Sequence, residues 1–332
     1  MVLLVSGDPD RRTGGNLYDR RMAQACRRAG VPLRIVSVGS TARARAELAR
    51  IRPRVIVVDS IAIPIAAPLL PWAREELRAR IVALMHMSTP ARGTRALLQL
   101  ADRVVAVSPD LARTLGVPRS LLAVIPPGSD GIPRLAPAAR ASRNARRGGR
   151  LLRVLAVANW SPAKGIATLV AAATRLPDIH LDLVGEVGTG AYRDAVLARI
   201  RASDVGARIV VHGALGERAL ARRYAEADVF ALPTEREGYG IVFAEALAHG
   251  LPVIAADIAS VRAIVGDAGL FVPPRRVRPL IAALRLTTDP WLRLRLAKNA
   301  WDRARALPSW ASSQGAFIAL VRNELHTADA GG

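Results

Sequence analysis

PTEREGYGIVFAEALAHGLPVIA, residues 233–255, decides how the chain folds. A short apolar strand ends just before it at Leu232, an acidic glycine-containing loop follows, a helix runs from near Gly240 to His249, and Pro252–Ala255 is a second strand. Strands apolar on both faces and joined through a helix belong to a parallel sheet covered on both sides. The same alternation extends in both directions. Upstream to residue 151 the spacing predicts strands Val154–Val157, Ile179–Val184, Arg208–Val211 and Val229–Leu232, with helices from Lys164, over Ala191–Ala202 and over Glu217–Ala227. Downstream come a strand at Leu270–Val272 and helices over Trp291–Leu307 and Trp310–Leu325, broken at Pro308-Ser309. The first part of the chain repeats the rhythm with strands Val2–Ser6, Leu33–Ser37, Val55–Asp59, Ile81–Met85, Val104–Val107 and Leu122–Ile125, and an amphipathic helix over Leu17–Ala29.

The rhythm fails over PPGSDGIPRLAPAARASRNARRGGR, which is rich in Pro, Gly, Ser and Arg. The expected organisation is therefore an N-terminal Rossmann-like α/β domain over 1–125, a linker over 126–150, and a second Rossmann-like domain over 151–308. A C-terminal helix over 309–325 is expected to pack back toward the first domain, and a frayed tail covers 326–332. Two such units leave a cleft, and sites in these sheets form outside the carboxyl ends of the strands.

The 332 residues carry a formal charge of +21 and are 51% hydrophobic, so the chain is globular and basic. Of the 48 basic residues only Lys164 and Lys298 are lysine. Residues 1–150 hold 26 arginines against 10 acids, a net +16, whereas the remainder is net +5. Dispersed arginine with only 4% aromatics gives no interleaved stacking surface, which argues against a nucleic-acid binder as the alternative. A single cysteine, Cys26, allows no internal disulfide and fits a reducing compartment. MVLLVSGDPD lacks the basic start and apolar run of a signal peptide, and the longest apolar stretch, Ile61–Ala73, holds three prolines and is too short to span a bilayer. A cytoplasmic protein, peripheral on the inner face of the membrane, is the expectation.

Around the opening stretch the residue types suggest a phosphate and sugar site. Backbone N–H groups at a helix start, reached past Gly238 and Gly240, suit a phosphate. Glu237 and Glu245, seven residues apart in between, offer carboxylates that accept hydrogen bonds from sugar diols. In NWSPAKGIATLV, residues 159–170, Lys164 stands before a glycine at a strand-to-helix junction, where an ammonium can meet a diphosphate.

Glu237-Gly238-Tyr239-Gly240 with Glu245 resembles the E-x7-E signature of retaining glycosyltransferases of the GT-B fold, family 4 in particular. ALPTEREGYG, AEALAHGLPVIA, HGAL at 212–215 and YAEADVFALP at 224–233 are similar to the same family. The resemblance implies an α/β GT-B architecture and transfer of a sugar from a nucleotide-diphosphate donor, a co-substrate, to an acceptor hydroxyl. It implies no cofactor and no essential metal. Glu237 would contact the donor sugar, Glu245 the ribose hydroxyls, and Gly238, Tyr239 and Gly240 the diphosphate. Lys164 would stabilise the leaving diphosphate. An arginine usual at the position of Asn159 is missing, so either another arginine substitutes or the site is weaker.

Gly14-Gly15 resembles the family's glycine-rich first loop, which closes on donor phosphate and acceptor. His86, at the end of a strand in IVALMHMS, stands where the family often binds sugar, while Met85 and Met87 read as core. Gly185 either lets the donor approach or serves a turn, and Gly213 to Leu215 lies where family members seat the nucleotide base. Asp8-Pro9-Asp10 reads as a turn although it matches a metal motif of a different glycosyltransferase fold. The basic first half, which binds the acceptor in this family, points to a lipid or polyanionic acceptor at an anionic membrane, in cell-envelope glycolipid or polysaccharide synthesis. The competing readings are a same-fold nucleotide-sugar binder with weak or no transferase activity, a nucleotide-sugar epimerase, and a phosphorylase, for which the chain is too short.

Overall fold

The computed structural model describes residues 1–88, 93–130 and 151–330. Most of the expected linker, 131–150, and the last two residues of the expected tail lie outside the described residues. The chain divides into two compact units, Met1–Gly128 with Ser309–Gly332, and Ser129–Pro308.

The first unit is built on a parallel sheet of β1 (Val2–Ser6), β2 (Arg34–Val38), β3 (Val55–Asp59), β4 (Arg80–Met85), β5 (Arg103–Ala106) and β6 (Leu122–Val124), in the order β2-β1-β3-β4-β5-β6. The central strand β3 is buried at every residue, as helix-covered faces require. β2 starts one residue later than the spacing suggests: the Leu33 N–H turns back to Val31 O (2.9 Å), and the ladder opens with Arg34 opposite Val2.

Helix Trp310–Ala330 belongs to this first unit. It buries Trp310, Phe317 and Val321, and its buried Glu324 accepts from Arg80 (2.7 Å) and Arg103 (2.9 Å) on β4 and β5. Two guanidinium groups on one carboxylate satisfy a charge that would otherwise be costly to bury. The helix also continues through residues 326–330, where a frayed tail was expected. Thr327 Oγ1 bonds Asn323 O (2.9 Å) within it, and Asp329 pairs with Arg54 at the foot of β3.

The second unit repeats the plan with β7 (Leu152–Val157), β8 (Ile179–Val184), β9 (Ile209–Gly213), β10 (Val229–Leu232), β11 (Val253–Ala256) and β12 (Gly269–Val272), all parallel, in the order β12-β11-β10-β7-β8-β9. The helix expected from Lys164 is displaced. Pro162–Lys164 forms a single 3-10 turn, Gly165 is left-handed (φ 71°), and the α-helix spans Ile166–Ala173. Lys164 therefore sits in a loop apex ahead of the helix.

Candidate functional site

In an open parallel sheet, successive connections that leave in opposite directions part the loops at the strands' carboxyl ends and open a crevice there. In the second sheet that point falls between β7 and β10, because the chain moves from β7 to β8 and β9 on one side and then returns to β10 and runs out through β11 and β12 on the other. The loop after β7 carries Asn159 and Lys164, and the loop after β10 carries Glu237 to Gly240. They are laced together: the Glu235 N–H donates to Ala163 O (2.8 Å), and Thr234 Oγ1 donates to the same carbonyl (3.1 Å). A Cβ on Gly165 would run into Pro233, so glycine is what lets the two loops approach.

This closeness brings Lys164 Nζ onto Glu237 Oε1, 73 residues away, in an ion pair with side chains 27% and 10% exposed. The structure thus puts together the two residues expected to bear charge at the donor. Gly240 (φ 93°) opens helix Ile241–Ala248, with Gly238 and Tyr239 buried just ahead of it. Tyr239 turns its side chain inward: its hydroxyl is buried with no hydrogen-bond partner among the described residues, and burial pushes its pKa up to about 12. Only its backbone is therefore available to a diphosphate.

Glu245 lies one turn further along the helix. Its Oε2 accepts from the Tyr224 hydroxyl (2.8 Å), and Tyr224 is fully buried and stacked on His249 (5.0 Å between ring centroids). Burial, then the charge of Glu245, raise the Tyr224 pKa well above its ordinary value, so the phenol is a fixed donor that orients the carboxylate.

Asn159 is committed to backbone: its Oδ1 accepts the Glu186 N–H (3.0 Å), and the Trp160 N–H donates to Glu186 O (2.8 Å), which holds the loop after β7 to the loop after β8. Gly185 (φ 135°) belongs to that junction, and its N–H donates to Gly213 O (2.8 Å). Gly213 ends β9 with φ 66°, and Leu215 beyond it is half-buried.

In the first sheet the corresponding point lies between β1 and β3. Gly14 and Gly15 form the first turn of helix Gly14–Arg28, capped by Thr13, whose side chain accepts the Asn16 N–H (3.1 Å). A Cβ on Gly15 would lie 3.3 Å from the His86 ring, so the second glycine admits the imidazole against the helix start. Asp8-Pro9-Asp10 is a turn, with the Asp10 N–H on Asp8 Oδ1 (2.9 Å). Met85 is in the core, but Met87 is 40% exposed, contrary to the core reading, because the strand has already ended.

His86 has partners that sequence reading missed. Its Nε2 is 3.0 Å from Asp19 Oδ1 and 3.8 Å from Asp59 Oδ1, and both carboxylates are buried. Asp59 also accepts from Ser60 Oγ and the Ile61 N–H (both 3.1 Å). Burial pulls the His86 pKa down, but the charge of Asp19, its hydrogen bond and the charge of Asp59 outweigh that and push it up to about 9. Burial raises Asp59, opposed by the His86 charge and reinforced by Asp19. These three side chains are also the one group of metal-ligand type among the described residues, with ligand atoms within 4.8 Å of one another. The hydrogen bond from His86 Nε2 goes to Asp19 alone, and Asp59 adds its charge from 3.8 Å. The available signals were Asp59 closing an all-apolar strand and Asp19 standing on the apolar side of its helix.

The raised His86 pKa makes a testable statement about stability. A group whose pKa is higher folded than unfolded contributes stability below its unfolded value, about 6.5, and that contribution is lost as pH rises through about 9. The loss is on the order of 3 kcal/mol. In urea titrations the parent chain should weaken between pH 7 and 9 relative to Asp19→Asn, and the His86 ring should titrate nearer the ordinary value in that variant. A parent chain that gains on the variant over this range contradicts the assignment.

Residues 152–289 match the family described as glycosyl transferases group 1. The chain is 28% identical over 262 residues to the MMP alpha-(1->4)-mannosyltransferase of Mycolicibacterium hassiacum, covering 76% of this chain and 60% of that one. It is 33% identical over 206 residues to the GDP-mannose-dependent alpha-(1-6)-phosphatidylinositol monomannoside mannosyltransferase of Mycobacterium tuberculosis, covering 57% and 53%. The chain spans about six tenths of the length of the first curated relatives it matches. Among solved structures, Anabaena HepE in complex with UDP and glucose superposes with a TM-score of 0.78 at 18% identity, covering 97% of this chain and 100% of that one. The architecture is the two-domain Rossmann-like α/β plan of GT-B glycosyltransferases.

Proposed function

We propose that this chain, whose residues 152–289 match the glycosyl transferases group 1 family, moves a sugar from a nucleotide-diphosphate donor to an acceptor hydroxyl with retention at the anomeric carbon, as in family 4. The observation that carries the reading is the Lys164–Glu237 pair at the carboxyl ends of β7 and β10, beside the helix opened by Gly240. Lys164 and the helix N-terminus stabilise charge growing on the leaving diphosphate. Glu237 orients the sugar hydroxyls and Glu245 holds the ribose diol. The departing phosphate oxygen takes the acceptor's proton through an oxocarbenium-like state, so no protein nucleophile, cofactor or metal is required.

The net +16 of residues 1–150 supports a lipid or polyanionic acceptor at the inner face of an anionic membrane, in envelope glycolipid or polysaccharide synthesis. The Mycobacterium tuberculosis relative, named for GDP-mannose and a phosphatidylinositol mannoside, is consistent with such an acceptor. No helix among the described residues is long and apolar enough to cross a membrane.

A melting screen against UDP-, GDP-, ADP- and TDP-sugars tests the donor site. A ligand at 100 times its Kd adds about 2.7 kcal/mol, a rise on the order of 5 °C for a chain of this size. A flat profile across the panel removes the donor site. The second reading, a nucleotide-sugar binder with little or no transferase activity, is favoured by Asn159, which is committed to Glu186 in the place of a second cation. Donor hydrolysis equal in the parent and Glu237→Ala would decide for it.

A further inference from the structure

Of the seven large hydrophobic side chains exposed among the described residues, three fall within nine positions: Leu286 (56% exposed), Trp291 (80%) and Leu294 (46%). They crown the corner between helices Val277–Leu286 and Pro290–Ala306. The corner is closed by hydrogen bonds. Asp289 Oδ1 accepts the Trp291 N–H (2.9 Å), Thr287 Oγ1 donates to Leu284 O (2.8 Å), and Arg293 donates to the carbonyls of Thr287 (2.6 Å) and Thr288 (2.8 Å).

The exposed side chains are surplus to the core. The inner faces of these helices already bury Leu280, Ala283, Leu284, Leu296, Ala297 and Ala300. Trp291, Leu294, Arg295 and Lys298 follow one another at helical spacing on the outer face and are all exposed. Arg285 is exposed beside Leu286. Arg285, Arg293, Arg295 and Lys298 outnumber Asp289, which caps the helix, and Asp302, which pairs with Lys298 (3.1 Å), so the corner is net cationic.

We propose that the Leu286–Lys298 corner is a membrane-docking surface. Trp291, Leu286 and Leu294 seat at the boundary of headgroups and acyl chains, while Arg285 and Arg295 reach lipid phosphates. Tryptophan favours that boundary, and long basic side chains beside it keep their charges at the headgroup level. An anionic leaflet complements the corner in both respects. A second copy does not: a two-fold contact through this patch would set its own cations against each other. The corner supplies the apolar contact that charge alone lacks. The inference rests on the membrane placement proposed above and is separable from the transferase reading, because vesicle binding needs neither donor nor acceptor and the two can fail separately.

The test is co-sedimentation of the full chain with vesicles of phosphatidylcholine, with and without phosphatidylglycerol, at about 0.15 M salt. The parent chain should bind the mixed vesicles, and its tryptophan emission should shift to the blue and be quenched by brominated lipid. Trp72 and Trp301 are half-buried and Trp160 and Trp310 buried, so the signal reports mainly Trp291. Trp291→Ala, which leaves the charge unchanged, should lower the partition coefficient about tenfold and abolish the blue shift. Its melting rise with nucleotide should equal the parent's. Equal binding by parent and variant, no parent binding, or a concentration-dependent dimer dispersed by Trp291→Glu would each overturn the proposal.

Discussion

Lys164→Ala is expected to lower kcat by roughly 10²- to 10³-fold while changing donor affinity by about tenfold or less. The reason lies in when its charge is needed. In the structure the ammonium is held by Glu237, partly out of water, so a bound diphosphate must win it from a carboxylate, and the net gain in the ground state is small. As the glycosidic bond breaks, negative charge moves onto the leaving phosphate and the same ammonium gains with no reorganisation. The interaction is thus concentrated in the transition state, which affects kcat more than binding. Removing Lys164 also strands the Glu237 carboxylate, whose side chain is only 10% exposed, so melting must be measured beside turnover. The double variant Lys164→Met with Glu237→Gln restores charge balance and should regain stability without regaining turnover. Turnover within twofold of the parent in Lys164→Ala removes the residue from the mechanism.

The sequence carries this half of the site because its parts lie beside local signals. Lys164 precedes a glycine that must be left-handed, and Glu237 stands in a loop between an apolar strand and a helix. Their pairing was not legible, since it depends on β7 lying next to β10 across 73 residues of chain. The strands were legible for a different reason. Burial on both faces leaves runs such as Val55–Asp59 with no surface position to fill, and such runs stand out against arginine-rich helices. What local pattern hides is irregular helix and long-range polar partnership. Ile61–Ala73, with its three prolines, has no clean period, yet it folds as short 3-10 and α turns from Ser60 to Leu77. Asp19 and Asp59 read as a helix residue and a strand end, and become partners of His86 only because β1, β3 and β4 are neighbours in the sheet.

Gly185→Ala is expected to destabilise the second unit by about 3 kcal/mol or more, and Gly213→Ala by only about 1 kcal/mol. Both glycines follow or end strands at the same edge of the sheet and share a hydrogen bond, Gly185 N to Gly213 O (2.8 Å). Both have positive φ, 135° and 66°. They differ in what surrounds them. A Cβ on Gly185 would be driven into the Ala158 carbonyl, with its carbon at 2.5 Å and Asn159 N at 3.1 Å, whereas nothing lies within 4 Å of one on Gly213. The obstacle at Gly185 is backbone at the end of β7 and cannot rotate away. Relief would require parting the loops after β7 and β8, which the Asn159–Glu186 and Trp160–Glu186 bonds hold together. The sequence left Gly185 between a turn glycine and one that admits the donor, and this variant distinguishes the two. A turn glycine gives a lowered urea midpoint for Ala. A glycine needed only by the ligand gives an Ala variant as stable as the parent that has lost its melting rise with nucleotide sugar, and that result would overturn the steric argument.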